Sequence, residues 1–203
     1  MTEPSRPRNL SRGKFLTTAA GSGAVLAVGG IAGAGLLLGQ DAPGGAKTSP
    51  LALALVLERV QAAFYSAAVA AKKIDGELLD FAITAQGHEA EHANLLVPLV
   101  AGGEKNPSSY DFGAATTSAE AFAAAAATLE DLAVSAYNGL LPVLKGRSLA
   151  VASRIVSVDA RHAAWVRAIM GKDPAAAATD PGLTTAEVVK ALAATGFVKE
   201  LAP

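Results

Sequence analysis

Gly87-His88-Glu89-Ala90-Glu91-His92 is the stretch on which the reading of this chain turns, because Val158-Asp159-Ala160-Arg161-His162 repeats its chemistry further along. In each, an acid stands three residues before a histidine: Glu89 before His92, and Asp159 before His162. The whole chain has only 3 histidines, so two of them fall in this one pattern. On a helix, the i, i+3 spacing puts acid and imidazole on one face about a turn apart. Both side chains can then reach a single centre. The flanking sequence predicts a helix for each stretch. The first runs from about Gly76 to Val100, with Gly87 in its interior and Ala101-Gly102-Gly103 at its end. The second runs from roughly Ser148 to Met170 and is closed by Gly171.

Two more long helices complete the pattern. Ser49-Pro50 gives a capping residue followed by a first-turn proline, so a helix is predicted from about Pro50 to Lys73, with Asp75-Gly76 as the break. Thr117-Ser118-Ala119-Glu120 reads as a capping box opening a helix to about Tyr137, stopped by Asn138-Gly139. Residues 104–116 read as irregular, and 173–182 as loop. Thr184-Thr185-Ala186-Glu187 opens a short fifth helix that ends near Thr195-Gly196. No strand pattern emerges. The expected class is all-α: an antiparallel four-helix bundle over residues 50–203 with a short C-terminal fifth helix.

A carboxylate on the apolar face of a bundle helix needs a reason, because a buried charge is costly unless paired or metal-bound. The first helix carries Glu58 among Leu55, Val56, Leu57, Ala62 and Tyr65. The third carries Glu130 after an alanine run. The ordered set is therefore an acid, an acid-x-x-His, an acid and a second acid-x-x-His, one per helix. Helical bundles that hold two iron or manganese ions use this arrangement. Four carboxylates and two imidazoles suit two divalent metals, iron or manganese, with zinc also compatible. The halves repeat: Tyr65 follows Glu58 by seven residues and Tyr137 follows Glu130 by seven, so each tyrosine shares a face with its acid. Tyr65 and Tyr137 read as core or outer-sphere hydrogen-bonding residues, His88 and Glu91 as surface or outer-sphere residues, and Trp165 as core. Taken singly, each acid has an ordinary structural role, as a solvated pair or an ion-pair partner. The constellation argues for metal.

The remaining composition narrows the function. Of the 203 residues 51% are hydrophobic and none is cysteine, which removes disulfides, thiolate zinc sites and cysteine nucleophiles. The net charge is −1 and no basic stretch interleaves with aromatics, so no nucleic-acid partner is expected. No nucleophile elbow or phosphate-cradling glycine loop is present. The mean hydropathy of +0.35 is concentrated at the start of the chain. After Arg6, Arg8, Arg12 and Lys14, the run from Phe15 to Gln40 carries no charge and is long enough to span a bilayer or serve as an export signal. Residues 1–40 are thus an expected export signal or membrane anchor helix, and residues 41–49 a linker. Past residue 40 the chain keeps 13 Lys/Arg against 17 Asp/Glu, a net charge of −4.

Ser11-Arg12-Gly13-Lys14-Phe15-Leu16 resembles a twin-arginine export signal, with Gly13 in the second arginine's place. From about residue 50 to 195 the chain resembles the ferritin-like superfamily, in particular exported bacterial ferritin-like domains and desiccation-related proteins. The resemblance lies in Leu57-Glu58 with Phe64-Tyr65, in the Gly87–His92 stretch, in Leu129-Glu130-Asp131 with Ala136-Tyr137, in Val158–Ala164, and in the tail from Pro181 to Leu192. It implies that Glu58 and Glu130 are terminal metal ligands, that Glu89 and Asp159 bridge, and that His92 and His162 bind one metal each. Where the family pattern has glutamate, this chain has Asp159, one methylene shorter, which predicts a strained bridge.

Two functions follow as expectations. One is an exported or membrane-tethered protein with a dinuclear iron or manganese centre, an oxidoreductase using oxygen or peroxide for Fe(II) oxidation or peroxide removal. The other is a non-catalytic structural or stress-protective envelope protein with a degenerate site. The expected partners are the small oxidant, the membrane if the N-terminal segment is uncleaved, and a second copy of the chain in a homodimer.

Overall fold

A computed structural model describes residues 51–100, 107 and 109–198. The expected signal or anchor (1–40), the linker (41–49) and the Ser49-Pro50 cap lie outside the described residues.

Among the described residues there are five α-helices and no strand: α1 Ala52–Ala71, α2 Gly76–Leu96, α3 Ala119–Leu140, α4 Gly146–Ile169 and α5 Thr185–Thr195. The four long helices form the expected bundle. Short connections make hairpins of α1 with α2 and of α3 with α4. The long α2–α3 connection carries short 3-10 turns at Val97–Leu99 and Gly113–Thr116. Both second helices of the hairpins open on a left-handed glycine, Gly76 at φ 54° and Gly146 at φ 54°. A side chain there would be strained. Gly76 precedes Glu89 by the same spacing as Gly146 precedes Asp159, so the repeat extends to the hairpin turns.

By length and composition α1 could cross a membrane, but half of its apolar window is buried inside the bundle. Its apolarity is that of a core helix carrying Glu58 inward.

Two apolar clusters fill the bundle. One gathers Phe64, Tyr65, Phe81 and Phe122 with Val188 and Leu192 of α5. The other gathers Leu51, Leu55, Leu96, Tyr137, Val151 and Ile155. The aromatic end is closed by the long connection and the C-terminal tail. Phe64 stacks on Phe122 and on Phe197, with centroids 5.3 and 5.7 Å apart. Tyr110 and Val198 form an isolated bridge nearby.

Several boundaries differ from expectation: α1 ends at Ala71, before Lys73, and α2 ends at Leu96, its last expected residues forming a 3-10 turn over Val97–Leu99. Ser118, not Thr117, caps α3, accepting from the Ala121 amide at 3.2 Å, while the Thr117 hydroxyl donates to the Ala114 carbonyl. The fourth helix begins at Gly146, two residues early. Asn138-Gly139 does not stop α3, which continues to Leu140. The reason is tertiary. A Cβ on Gly139 would lie 1.9 Å from the Leu183 carbonyl oxygen, so the glycine marks where the tail crosses the helix. The Leu183 amide donates to the Ser135 carbonyl at 2.9 Å, fixing that crossing. The capping box at α5 forms as expected, between Thr184 and Glu187.

Gly139→Ala should therefore lower stability by about 1–3 kcal/mol through overpacking. Gly87→Ala, where an added Cβ meets nothing within 4 Å, should raise it by up to about 1 kcal/mol from helix propensity. Thermal denaturation of the two variants against the parent checks both signs.

Candidate metal centre

Between the two apolar clusters lies a layer of charge. Glu58, Glu89, Glu130 and Asp159 are each 0% exposed, and His92 and His162 are buried with them. All six come from the positions that the sequence spacing singles out, and the bundle brings all six together. They form two overlapping groups: Glu58, Glu89, His92 and Asp159, and Glu89, Glu130, Asp159 and His162. Within each group one donor atom per residue lies within 4.8 Å of the others. Glu89 and Asp159 belong to both groups, so the shorter Asp159 side chain still sits where the groups meet.

The tyrosines organise the terminal acids. The Tyr137 hydroxyl donates to Glu58 Oε1, and the Tyr65 hydroxyl donates to Glu130 Oε1. The two bonds cross-connect α1 and α3 in opposite order along the helices, so these helices are antiparallel. Each bond also joins an apolar cluster to the charged layer. On the other side of the bundle, His92 Nδ1 lies 3.0 Å from Glu89 Oε2, 3.3 Å from Asp159 Oδ1 and 3.4 Å from Glu58 Oε2. His162 Nδ1 lies 2.9 Å from Glu89 Oε1 and 3.5 Å from Glu130 Oε2. Both imidazoles turn the same nitrogen, Nδ1, towards the carboxylates.

The donor atoms that face inward are not satisfied by the protein. Among the described residues, Glu58 Oε2, Glu89 Oε1, Glu130 Oε2, both Asp159 oxygens and His162 Nδ1 are buried without a hydrogen-bond partner. The 2.9 Å approach of His162 to Glu89 is an ion-pair distance, but its direction does not make a hydrogen bond. Buried polar atoms in native proteins are nearly always bonded, so a convergent set of orphans needs a ligand from outside the chain. Four carboxylates carry the charge of two divalent cations with opposite sign, and mixed carboxylate and imidazole donors suit iron, manganese or zinc. The residues present therefore fit a metal pair.

Without metal, the cluster holds protons instead. Burial pushes the Glu58 and Asp159 carboxyls well above the usual range, and the surrounding carboxylates add to it. Burial, then the charge of Glu89, raises Glu130. For Glu89 burial acts upward too, but the adjoining His162 and His92 imidazoles reverse it and hold this carboxyl low. Burial disfavours charge on the imidazoles, yet Glu58 and Glu89 lift His92 to about 10, and Glu130 and Glu89 lift His162 to about 9. Burial and a neighbouring carboxylate push both tyrosines well up, so they stay protonated donors.

His88 has a larger part than its position on the helix suggests. The residue is exposed, yet its Nδ1 lies 2.9 Å from His162 Nε2, the outer nitrogen of that ring. The ring planes differ by 13° and the centroids are 5.2 Å apart, close to the N–N distance plus two ring radii. The contact is therefore edge to edge, a hydrogen bond and not a face stack. Such outer contacts fix the tautomer of a ligating histidine. At the matching place on α4 stands Val158, which offers no such bond. The sequence signal was present, a third histidine beside the motif, but a helical wheel places it on the flank and does not count the reach of an imidazole. His88, Glu91, His92, Arg161, His162 and Trp165 line a cleft of about 420 Å³ open to solvent on the α2–α4 side. Trp165 is only partly in the core: its ring meets Phe81 edge-on and its Nε1 donates to Glu77 at 2.9 Å.

The raised imidazoles set a pH dependence. In metal-free protein their stabilising contribution is complete below pH 6.5, the ordinary histidine value, and is lost as pH rises through about 9 to 10. The melting temperature of metal-free protein should fall between pH 7 and pH 10. Metal loading at pH 7 should release protons, because ligating imidazoles are neutral. Circular dichroism melts and proton release into weak buffer measure the two effects.

A search of curated proteins finds no match to this chain. A family model, the ferritin-like domain, matches residues 47–172, which covers α1 to α4 and all six residues of the charged layer. By that match, over more than half its length, the chain belongs to the ferritin-like domain family.

Proposed function

We propose that this chain is an exported or membrane-tethered ferritin-like protein that holds two iron or manganese ions for Fe(II) oxidation or for oxygen or peroxide chemistry. The observation that carries the reading is the convergent set of buried, unpartnered carboxylate and imidazole atoms. Glu58 and Glu130 serve as terminal ligands. Each keeps one oxygen on a tyrosine hydroxyl and presents the other inward. Glu89 and Asp159 stand between the two metal positions, and His92 and His162 serve one position each. When bound, the metal pair supplies the electrons that reduce oxygen or peroxide. The chain's own work is to bring the four carboxyl groups side by side, to orient His162 through His88, and to exclude bulk water with the apolar clusters above and below.

The N-terminal segment, residues 1–40, delivers the domain across the membrane or anchors it there. The support is its basic start, its uncharged run from Phe15 to Gln40 and its likeness to a twin-arginine signal. Asp159 favours a second reading, a structural or stress-protective bundle whose site has lost one metal position, since its carboxylate is a methylene shorter than the family's glutamate.

Metal analysis separates the two. The purified chain is mixed anaerobically with Fe(II) or Mn(II), desalted and assayed, then exposed to oxygen while its absorption is recorded. The dinuclear reading expects about two metals per chain, a ferric absorption band on oxidation, and loss of both in Glu58→Ala and His162→Ala. One metal per chain supports the second reading, in which one metal position is lost. No retained metal leaves the structural bundle.

A further inference from the structure

Gln61 is a buried amide without a hydrogen-bond partner among the described residues. It is 0% exposed, and among the described residues neither its amide nitrogen nor its amide oxygen has a hydrogen-bond partner. Leaving both unsatisfied in a core is costly. A partner beyond the described residues, such as a bound ligand, resolves that cost.

The position of Gln61 says where the partner sits. It stands three residues after Glu58 and four before Tyr65, so it leaves α1 on the face they share. Glu58 bonds Tyr137 and Tyr65 bonds Glu130, which fixes the register of the antiparallel α1 and α3. Gln61 is therefore level with the middle of the charged layer, between the two tyrosine–carboxylate pairs. The matching position on α3, three after Glu130 and four before Tyr137, is Ala133, also 0% exposed. An amide on one helix faces the place where the other offers only a methyl group. The imidazoles come from α2 and α4. The amide thus stands on the α1–α3 side of the carboxylates, across from His92 and His162.

We propose that Gln61 is the hydrogen-bonding residue for a small exogenous ligand of the hydrogen peroxide class at this centre, an inference that rests on the dinuclear reading above. A primary amide both donates and accepts. Hydrogen peroxide uses both functions. Small anions such as azide use the N–H alone. Dioxygen has no proton to give and is a weak acceptor, so the amide selects for the peroxide class over dioxygen. The two halves differ at this position, amide against methyl, so the α1 side of the centre offers a hydrogen bond that the α3 side does not.

The test uses azide as the probe. The full-length protein is loaded with Fe(II), oxidised in air and titrated with azide, with binding read from the visible absorption. Gln61→Leu and the nearly isosteric Gln61→Met are treated alike, and metal content is measured throughout. The proposal expects both variants to keep the parent's metal content while azide affinity falls about tenfold, the size of a lost hydrogen bond to a charged ligand. Unchanged azide affinity with metal retained overturns the proposal and leaves the metal centre standing; the amide then holds an internal water only. Metal loss in both variants also overturns it, since Gln61 would then support the ligands themselves. A parent protein that retains no metal overturns the dinuclear reading and this inference together.

Discussion

Four carboxylates buried side by side in the middle of a helical bundle are the constraint that the rest of this structure answers. An isolated buried carboxylate has a desolvation cost of several kcal/mol after relaxation. Here four are packed between two apolar clusters, with only two imidazoles to oppose them. Everything around them limits that cost. Tyr65 and Tyr137 each donate a hydrogen bond to one carboxylate oxygen. The imidazoles draw protons to themselves far above their usual range. These devices still leave inward-facing oxygens without partners. Two divalent ions would cancel the charge of the carboxylates and occupy the orphaned atoms at once. On the proposed reading, metal would complete the core as well as serve as a cofactor.

The pseudo-twofold repeat gives the centre its geometry. Each helical hairpin contributes an acid with a tyrosine seven residues on, then a left-handed glycine, then an acid-x-x-His pair. The hydroxyl from one hairpin holds the acid of the other. Neither half can form the layer alone, so the charged site depends on docking of the two hairpins. Three of the differences between the halves lie at the site: Asp159 against Glu89, His88 against Val158, and Gln61 against Ala133. They make the two ends of the centre chemically different while the backbone remains alike.

Much of this was legible in the sequence, because the decisive spacings are local. The i, i+3 acid–histidine pairs and the seven-residue acid–tyrosine pairs follow from helical geometry, and a four-helix pattern puts them in one layer. What was not legible depends on contacts between distant segments. Asn138-Gly139 reads as a helix stop, since nothing nearby says that Leu183 will cross the helix there. His88 reads as either a surface or an outer-sphere residue, and the choice between the two depends on how far α4 lies from α2. Gln61 shares a face with Glu58, yet its burial without a partner appears only when all four helices are in place. Asp159, expected from its shorter side chain to make a strained bridge, lies in both donor groups, and neither of its oxygens has a hydrogen-bond partner among the described residues.

The central claim is that these six side chains surround two metal ions, with Glu89 and Asp159 between them. Anomalous diffraction from crystals of the iron-loaded protein, recorded at the iron absorption edge, tests it most directly. The account predicts two peaks inside the bundle, one beside Glu58 and His92 and the other beside Glu130 and His162. A single peak, or none at these residues, would contradict it.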